Sequence, residues 1–193
     1  MSLNILFPEL AKVFYQENKI ESFARFTLQN TTSDKLLSLG GNGLDKSITK
    51  VMRQKNSHPV CKTILEMPFD WIPPETSQDP LYIQHSIAKA HVELIGPTGL
   101  VKSNDIRIGL YGMLPNTEYG VRTHPADELY VMLAGKAYWQ IDEKPYRLHC
   151  PCERSHHPSM VKHANRTGPE AFMSIYVWCG DVSSKNYVYE GIR

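Results

Sequence analysis

The sequence has no surplus of either charge: 21 Lys and Arg against 20 Asp and Glu leave a formal net charge of +1 over 193 residues. A general nucleic-acid binder needs a basic face to offset phosphate, and a solvating acidic tail needs the reverse; neither balance is here. Long apolar runs are also missing. Stretches such as Leu110–Leu114 and Leu129–Ala134 are far too short to span a bilayer. Residues 1–30 mix charged and apolar side chains, without the basic-then-apolar order of a signal peptide. Cysteine is scarce, and Cys61, Cys150, Cys152 and Cys179 are too few for a disulfide scaffold at this length. These absences lead to the expectation of a soluble, cytoplasmic protein with no nucleic-acid partner and no membrane partner. A hydrophobic share of 41%, with 10% aromatics, suffices for one cored domain, with or without an extension. Histidine is concentrated instead, with five of the eight lying between His124 and His163.

The N-terminal part has helical spacing. Leu6, Leu10, Val13 and Phe14 recur on one face, with Pro8 tolerable only in a first turn. Phe23, Phe26 and Leu28 suggest a second helix. Leu44, Ile48, Val51 and Met52 suggest a third, opened by Asp45 after the Gly-Gly-Asn-Gly run 40–43, and residues 58–67 a fourth. Residues 68–80 are proline-rich and aperiodic, an arm or linker, and Asp79-Pro80 can cap a helix running to about Lys89. From His91 the pattern changes. Val92–Ile95, Ile106–Gly112, Leu129–Ala134, Ala137–Ile141, Tyr146–Leu148 and Phe172–Cys179 are short and rich in β-branched and aromatic residues, with turn signals between them. The expected architecture is mainly β: a helical N-terminal extension over residues 1–80, then a small barrel or sandwich over 81–193.

Alternate residues of a strand share a face. In the stretch 123–132, Glu128, Tyr130 and Met132 therefore point one way, while Leu129 and Val131 point the other, and His124 has the parity of Glu128. A carboxylate, a phenol and an imidazole buried together are costly unless paired. One divalent cation satisfies all three, and this donor set suits Zn²⁺, Fe²⁺ or Mn²⁺, with Co²⁺ or Ni²⁺ also tolerated. His163, in a short apolar stretch after Pro158, is the choice for a further ligand. His156 and His157 sit beside Pro158 in what reads as a loop, and are taken as a solvated pair or a pair behind the ligands. His58, His85, His91 and His149 are taken as packed or surface residues, Cys61 and Cys179 as small core residues, and Arg122 and Arg154 as surface or ion-pairing residues. His149, Cys150 and Cys152 are too tightly spaced for an ordinary zinc knuckle.

His124-x3-Glu128-x6-Gly135 matches the second half of the first cupin motif, and Pro158-x4-His163 matches the core of the second. Two positions depart from those motifs. Arg122 stands where the first histidine of a His-x-His pair belongs, and Met160 replaces a glycine. Tyr130 is the natural replacement for the lost ligand. With Tyr119-Gly120-x-Arg122-Thr123-His124-Pro125 before it and 153–160 after it, the chain resembles the cupin dimethylsulfoniopropionate lyases, most closely the Q type. The resemblance implies a cupin barrel with metal ligands at His124, Glu128, Tyr130 and His163, and a second pocket tyrosine at Tyr119. It also implies cleavage of dimethylsulfoniopropionate, a small zwitterion, to dimethyl sulfide and acrylate by a monomer or homodimer.

That reaction needs a base for a weakly acidic C–H beside a carboxylate, and Tyr130 is the expected base, with Tyr119 as rival or orienting partner. It also needs a holder for a sulfonium cation, which aromatic faces attract. Tyr176 and Trp178 share one face of the last long strand, and Trp139 opposes Tyr138, so Trp178, Tyr176 and Trp139 are the cage candidates. Two other readings stand beside this one: another cupin metalloenzyme, such as an iron-dependent dioxygenase or an isomerase, or a cupin that only binds a small molecule.

Overall fold

The computed structural model describes residues 2–35, 37 and 41–192. Gly40, the first glycine of the run expected to precede the third helix, lies outside the described residues. Five helices come first: α1 (Leu3–Ala11), α2 (Lys19–Asn30), α3 (Lys46–Met52), α4 (Val60–Leu65) and α5 (Pro80–Ser86). Asn18 caps α2 by accepting from the Glu21 N–H, and Asp45 and Asp79 cap α3 and α5 in the same way. Pro8 lies in the second turn of α1, not the first, and the helix continues past it to Ala11. The lost hydrogen bond is outweighed by the face that Leu3, Leu6, Phe7 and Leu10 bury. On α2, Ile20, Ala24 and Leu28 are buried while Phe23 and Phe26 are exposed. The last helix stops at Ser86, and Lys89 already belongs to a strand.

Eleven strands follow: β1 (Lys89–Gly96), β2 (Val101–Lys102), β3 (Ile106–Met113), β4 (Glu118–Thr123), β5 (Ala126–Gly135), β6 (Ala137–Ile141), β7 (Arg147–His149), β8 (Arg154–His157), β9 (His163–Arg166), β10 (Phe172–Gly180) and β11 (Val188–Gly191). They form two sheets, β2-β1-β3-β10-β5-β8 and β11-β4-β9-β6-β7, of a small barrel with helices at its N-terminal end. The first sheet is covered on both faces, and its long strands therefore read as nearly unbroken apolar runs. On its outer face Leu94, Ile108, Leu110, Leu129, Val131 and Ile175 pack in one cluster with α1 to α4. On its inner face Tyr111, Met113, Tyr130, Met132, Phe172, Tyr176 and Trp178 join Tyr119 and Trp139 of the second sheet inside the barrel.

Five strands were not expected from the sequence. Of these, β4, β8 and β9 have the compositions Glu-Tyr-Gly-Val-Arg-Thr, Arg-Ser-His-His and His-Ala-Asn-Arg. Polar residues turn inward along them: Arg122, Ser155, His157, His163 and Asn165 are all buried. An apolar-in pattern cannot reveal a strand whose inner face is polar. His156 and His157 are accordingly strand residues, not loop residues.

A buried ion pair helps to join the extension to the barrel. Glu21 of α2 is fully buried, and its carboxylate receives Arg154 Nε and Nη2 of β8 at 3.0 and 3.1 Å and the Gln16 N–H at 3.1 Å. Arg154 also donates to the Val13 carbonyl at 2.9 Å. Removing one partner of a buried pair leaves the other uncompensated. Glu21→Ala is expected to lose about 3 kcal/mol of unfolding free energy, measured by urea denaturation. Glu9→Ala, which removes only the exposed pair with Lys12, should lose less than about 0.5 kcal/mol.

Candidate metal centre

Strand register assembles this site. Glu128 of β5 faces His157 across the β5–β8 ladder and Trp178 across the β10–β5 ladder. Both neighbours bond its carboxylate: the Trp178 indole N–H donates to Oε1, and His157 Nδ1 lies 3.0 Å from Oε2. His163 enters from the second sheet, in register with Arg122 of β4. His124 sits in the corner between β4 and β5, its carbonyl held by the Met160 N–H at 2.9 Å. Met160, where the cupin motif has glycine, adopts φ +62.

Three imidazole nitrogens therefore converge on one carboxylate oxygen. His157 Nδ1, His163 Nε2 and His124 Nε2 lie 3.0, 3.2 and 3.3 Å from Glu128 Oε2. Neighbours set the proton on two of these rings. Ser155 Oγ lies 2.8 Å from His157 Nε2, so with the hydroxyl donating there, His157 carries its proton on Nδ1 and donates it to Glu128. His163 Nδ1 faces the Val161 carbonyl at 3.0 Å and donates to it, which leaves Nε2 as a bare lone pair facing a carboxylate oxygen. Among the described residues, that Nε2 and His124 Nδ1 are buried without a hydrogen-bond partner. Two lone pairs held face to face out of water repel one another, and a cation between them reverses the sign. His124, Glu128 and His163 each offer one donor atom, all within 4.8 Å of one another, and could hold a metal ion. The donor set, two neutral imidazoles and a carboxylate, fits a divalent transition metal.

Burial opposes ionisation of Glu128, but the imidazoles around it prevail and hold it well below the usual carboxylate range. Burial pushes His163 well below its ordinary value, with Arg122 adding to the effect, and burial likewise lowers His157. Tyr130, two residues along β5 from Glu128, is held protonated by burial and then by the Glu128 charge, with Arg122 acting the other way.

Beside the cluster lies a cavity of about 40 Å³, walled by Glu128, Tyr130, Tyr119, Arg122, Tyr176 and Trp178 among others, with room for a few waters. Its far wall, His91, Glu93, Arg107 and Thr76, is shared with an outer cleft of about 400 Å³. Trp139 does not reach this cavity, because it packs behind Tyr130 with ring centroids 4.3 Å apart. Trp178 does reach it, although one face stacks on His124 at 4.1 Å. Tyr176 lies across Gly109, where a Cβ would come within 2.5 Å of its ring, and its hydroxyl meets His91 Nε2 at 2.8 Å. Tyr119 is tied to the hydroxyl of Tyr187.

Several site residues escaped the sequence reading. His157 belongs to the cluster, and the alternation of Ser155 and His157 against Arg154 and His156 was the available signal. His91 lines the cavity wall rather than serving as a plain packed or surface residue. Arg122 is not a surface residue, and it makes no ion pair among the described residues: it is fully buried and lines the cavity. Tyr187 sits beyond the last long strand with no local signal.

Two outcomes follow. Adding Zn²⁺ or Mn²⁺ at about 100 times its dissociation constant should raise the unfolding free energy by about 3 kcal/mol, and His163→Ala should abolish the gain, as read by melting temperature. The second concerns pH. Burial, then Arg107, depresses His91 to about 4, against about 6.5 in an unfolded chain. Between those values the unfolded chain binds a proton that the folded chain refuses, so stability is lost as pH falls from 6.5 towards 4. His91→Gln should show a shallower fall of melting temperature across that window than the parent protein.

The family model for dimethylsulfoniopropionate lyases matches residues 71–174, more than half of the chain. A curated relative, the dimethylsulfoniopropionate lyase DddQ of Ruegeria pomeroyi, is 34% identical over 91 residues, which cover 47% of this chain and 45% of the relative. The matched part thus spans less than half of that relative's length. The crystal structure of the DMSP lyase DddQ from Ruegeria pomeroyi superposes with a TM-score of 0.69 at 21% identity, over 97% of this chain and 95% of that one. A second solved structure, of the DMSP lyases RdDddP and RnDddQII, gives 0.68 at 17% identity over 97% of each chain. At those identities the superpositions speak for the fold, helices included, whereas the match over 71–174 speaks for descent: the chain belongs to the dimethylsulfoniopropionate lyase family.

Proposed function

We propose that the protein is a metal-dependent dimethylsulfoniopropionate lyase, with residues 81–193 as the working barrel and residues 1–80 as an extension packed on it. The observation that carries this reading is the Tyr130 phenol in the wall of the cavity that Glu128 also lines, beside a cluster whose buried lone pairs call for a cation. Tyr119 stands in the same wall. A binding module has no need of two phenols at that place.

His124, Glu128 and His163 would hold the metal, with Tyr130 as a further ligand; Zn²⁺, Fe²⁺, Mn²⁺, Co²⁺ and Ni²⁺ all accept these donors. When bound, a divalent cation supplies Lewis acidity to a carboxylate and favours the phenolate form of a nearby tyrosine. The protein's own residues account for the rest. Tyr130 Oη takes the proton from the carbon next to the substrate carboxylate. The freed C–H pair forms the double bond to the β-carbon, and the carbon–sulfur pair leaves with sulfur, so neutral dimethyl sulfide departs and acrylate remains. Tyr119, held by Tyr187, orients the acid end. Tyr176 and Trp178 offer aromatic surface to the sulfonium, worth about 0.5–2 kcal/mol per ring.

Besides Arg122, three basic groups near the cavity would repel a cationic ligand if they kept free charges, and none does. Burial, then Arg122, lowers the Lys89 ammonium to about 5, and burial lowers His91 to about 4. Arg107 is neutralised by Glu93 at 2.6 Å. The reading is tested by headspace detection of dimethyl sulfide from purified protein given dimethylsulfoniopropionate, with each divalent cation and with chelator. Gas is expected with at least one cation, and no gas with any of the five removes the proposal. Tyr130→Phe should lose about 10²–10⁴-fold in turnover while still taking up metal, and near-normal turnover would reassign the base.

A further inference from the structure

Arg122 occupies a costly position. Its side chain is 1% exposed, and a buried guanidinium normally has a carboxylate partner. Among the described residues it makes no ion pair and donates only to neutral acceptors. Asn165 Oδ1 lies 3.0 Å from Nη2, and the carbonyls of Tyr119 and Gly120 are both 3.4 Å from Nη1, a loose distance. The Tyr119 ring covers one side of the group, with its centroid 3.9 Å from Cζ. The fork of five N–H donors is thus only partly used, and the residue lines the cavity.

The other basic side chains around this space are accounted for: Arg107 by Glu93, and Lys89 and His91 by loss of charge on burial. Arg122 keeps its charge with no direct ion pair among the described residues, and the Glu128 carboxylate of the same wall acts on it only through space. Arg122 is also placed at one end of the space. Its guanidinium lies against the Tyr119 ring, whereas the Tyr176 hydroxyl meets His91 of the far wall, where Glu93 and Arg107 also stand. The wall therefore has a cationic end at Arg122 and an aromatic end, backed by Glu93, at Tyr176. Metal chemistry does not need Arg122, since it offers no lone pair, and it replaces a histidine that the cupin motif would place there. A planar guanidinium does suit one ligand chemistry, the paired oxygens of a carboxylate.

We propose that Arg122 is the carboxylate-binding residue of this site, fixing the acid end of a small zwitterion beside Tyr119 and Tyr130 and so turning its cationic end towards Tyr176. The inference rests on the lyase reading, which supplies a ligand of that polarity. It gives the position left by the motif histidine a binding role in place of a metal-ligating one, and it makes net charge at one end of the cavity the basis of ligand orientation.

The test uses acrylate as probe on the full-length protein after chelation, so that no cation contributes to its binding. Calorimetry should show acrylate bound at least about tenfold more tightly than acrylamide, which has the same shape but no charge. Arg122→Gln should lose about tenfold or more in acrylate affinity, with Arg122→Lys between them. In the metal-loaded enzyme, Arg122→Lys should raise KM more than it lowers kcat, which a structural role alone would not produce. Equal acrylate affinity in the parent and Arg122→Gln proteins overturns the inference. If that variant does not fold, an acrylate-to-acrylamide ratio near one in the parent overturns it instead. The lyase reading fails separately, when the parent protein releases no dimethyl sulfide.

Discussion

One carboxylate oxygen governs the centre of this barrel. Glu128 Oε2 has three imidazole nitrogens within 3.3 Å, and only one of them, on His157, has its proton fixed towards that oxygen by a neighbour. His163 has given its proton to a backbone carbonyl and presents a lone pair. A dry interior does not tolerate that arrangement without a positive charge, so the cluster stores a demand for a cation. Strand register creates the demand. It sets His157 and Trp178 on either side of Glu128 and brings His163 across from the other sheet. The helical extension completes the enclosure: it covers the outer face of the first sheet, and through Glu21 and Arg154 it anchors β8, the strand that carries His157.

The alternation along β5 was legible because its two faces meet different surroundings. Leu129 and Val131 enter the helix-covered core, while Glu128, Tyr130 and Met132 enter the barrel. The spacing that singled out His124, Glu128 and His163 also corresponds to a real meeting of side chains. Elsewhere the pattern failed for a physical reason. A barrel that holds a polar site turns Arg122, His157 and Asn165 inward, which inverts the rule that inward means apolar. His157 was therefore placed in a loop, and Arg122 among surface or ion-pairing residues. Trp139 shows the opposite limit: parity predicts that a ring points inward, but not whether it reaches the cavity or packs one layer behind.

The near-zero net charge of the chain hides strong local fields. Inside the barrel, burial silences Lys89 and His91, Glu93 neutralises Arg107, and Glu128 and Arg122 remain as opposite charges in one wall. An apolar ligand would leave both groups unsatisfied.

The central claim is that His124, Glu128 and His163 share one divalent cation beside Tyr130. X-ray absorption at the metal edge, on the purified protein loaded with one equivalent of Zn²⁺, addresses it directly. The account requires a first shell of oxygen and nitrogen donors with two imidazole contributions at about 2.0–2.1 Å, reduced to one imidazole in His163→Ala. A spectrum with no imidazole scattering, or one unchanged in that variant, would contradict the account.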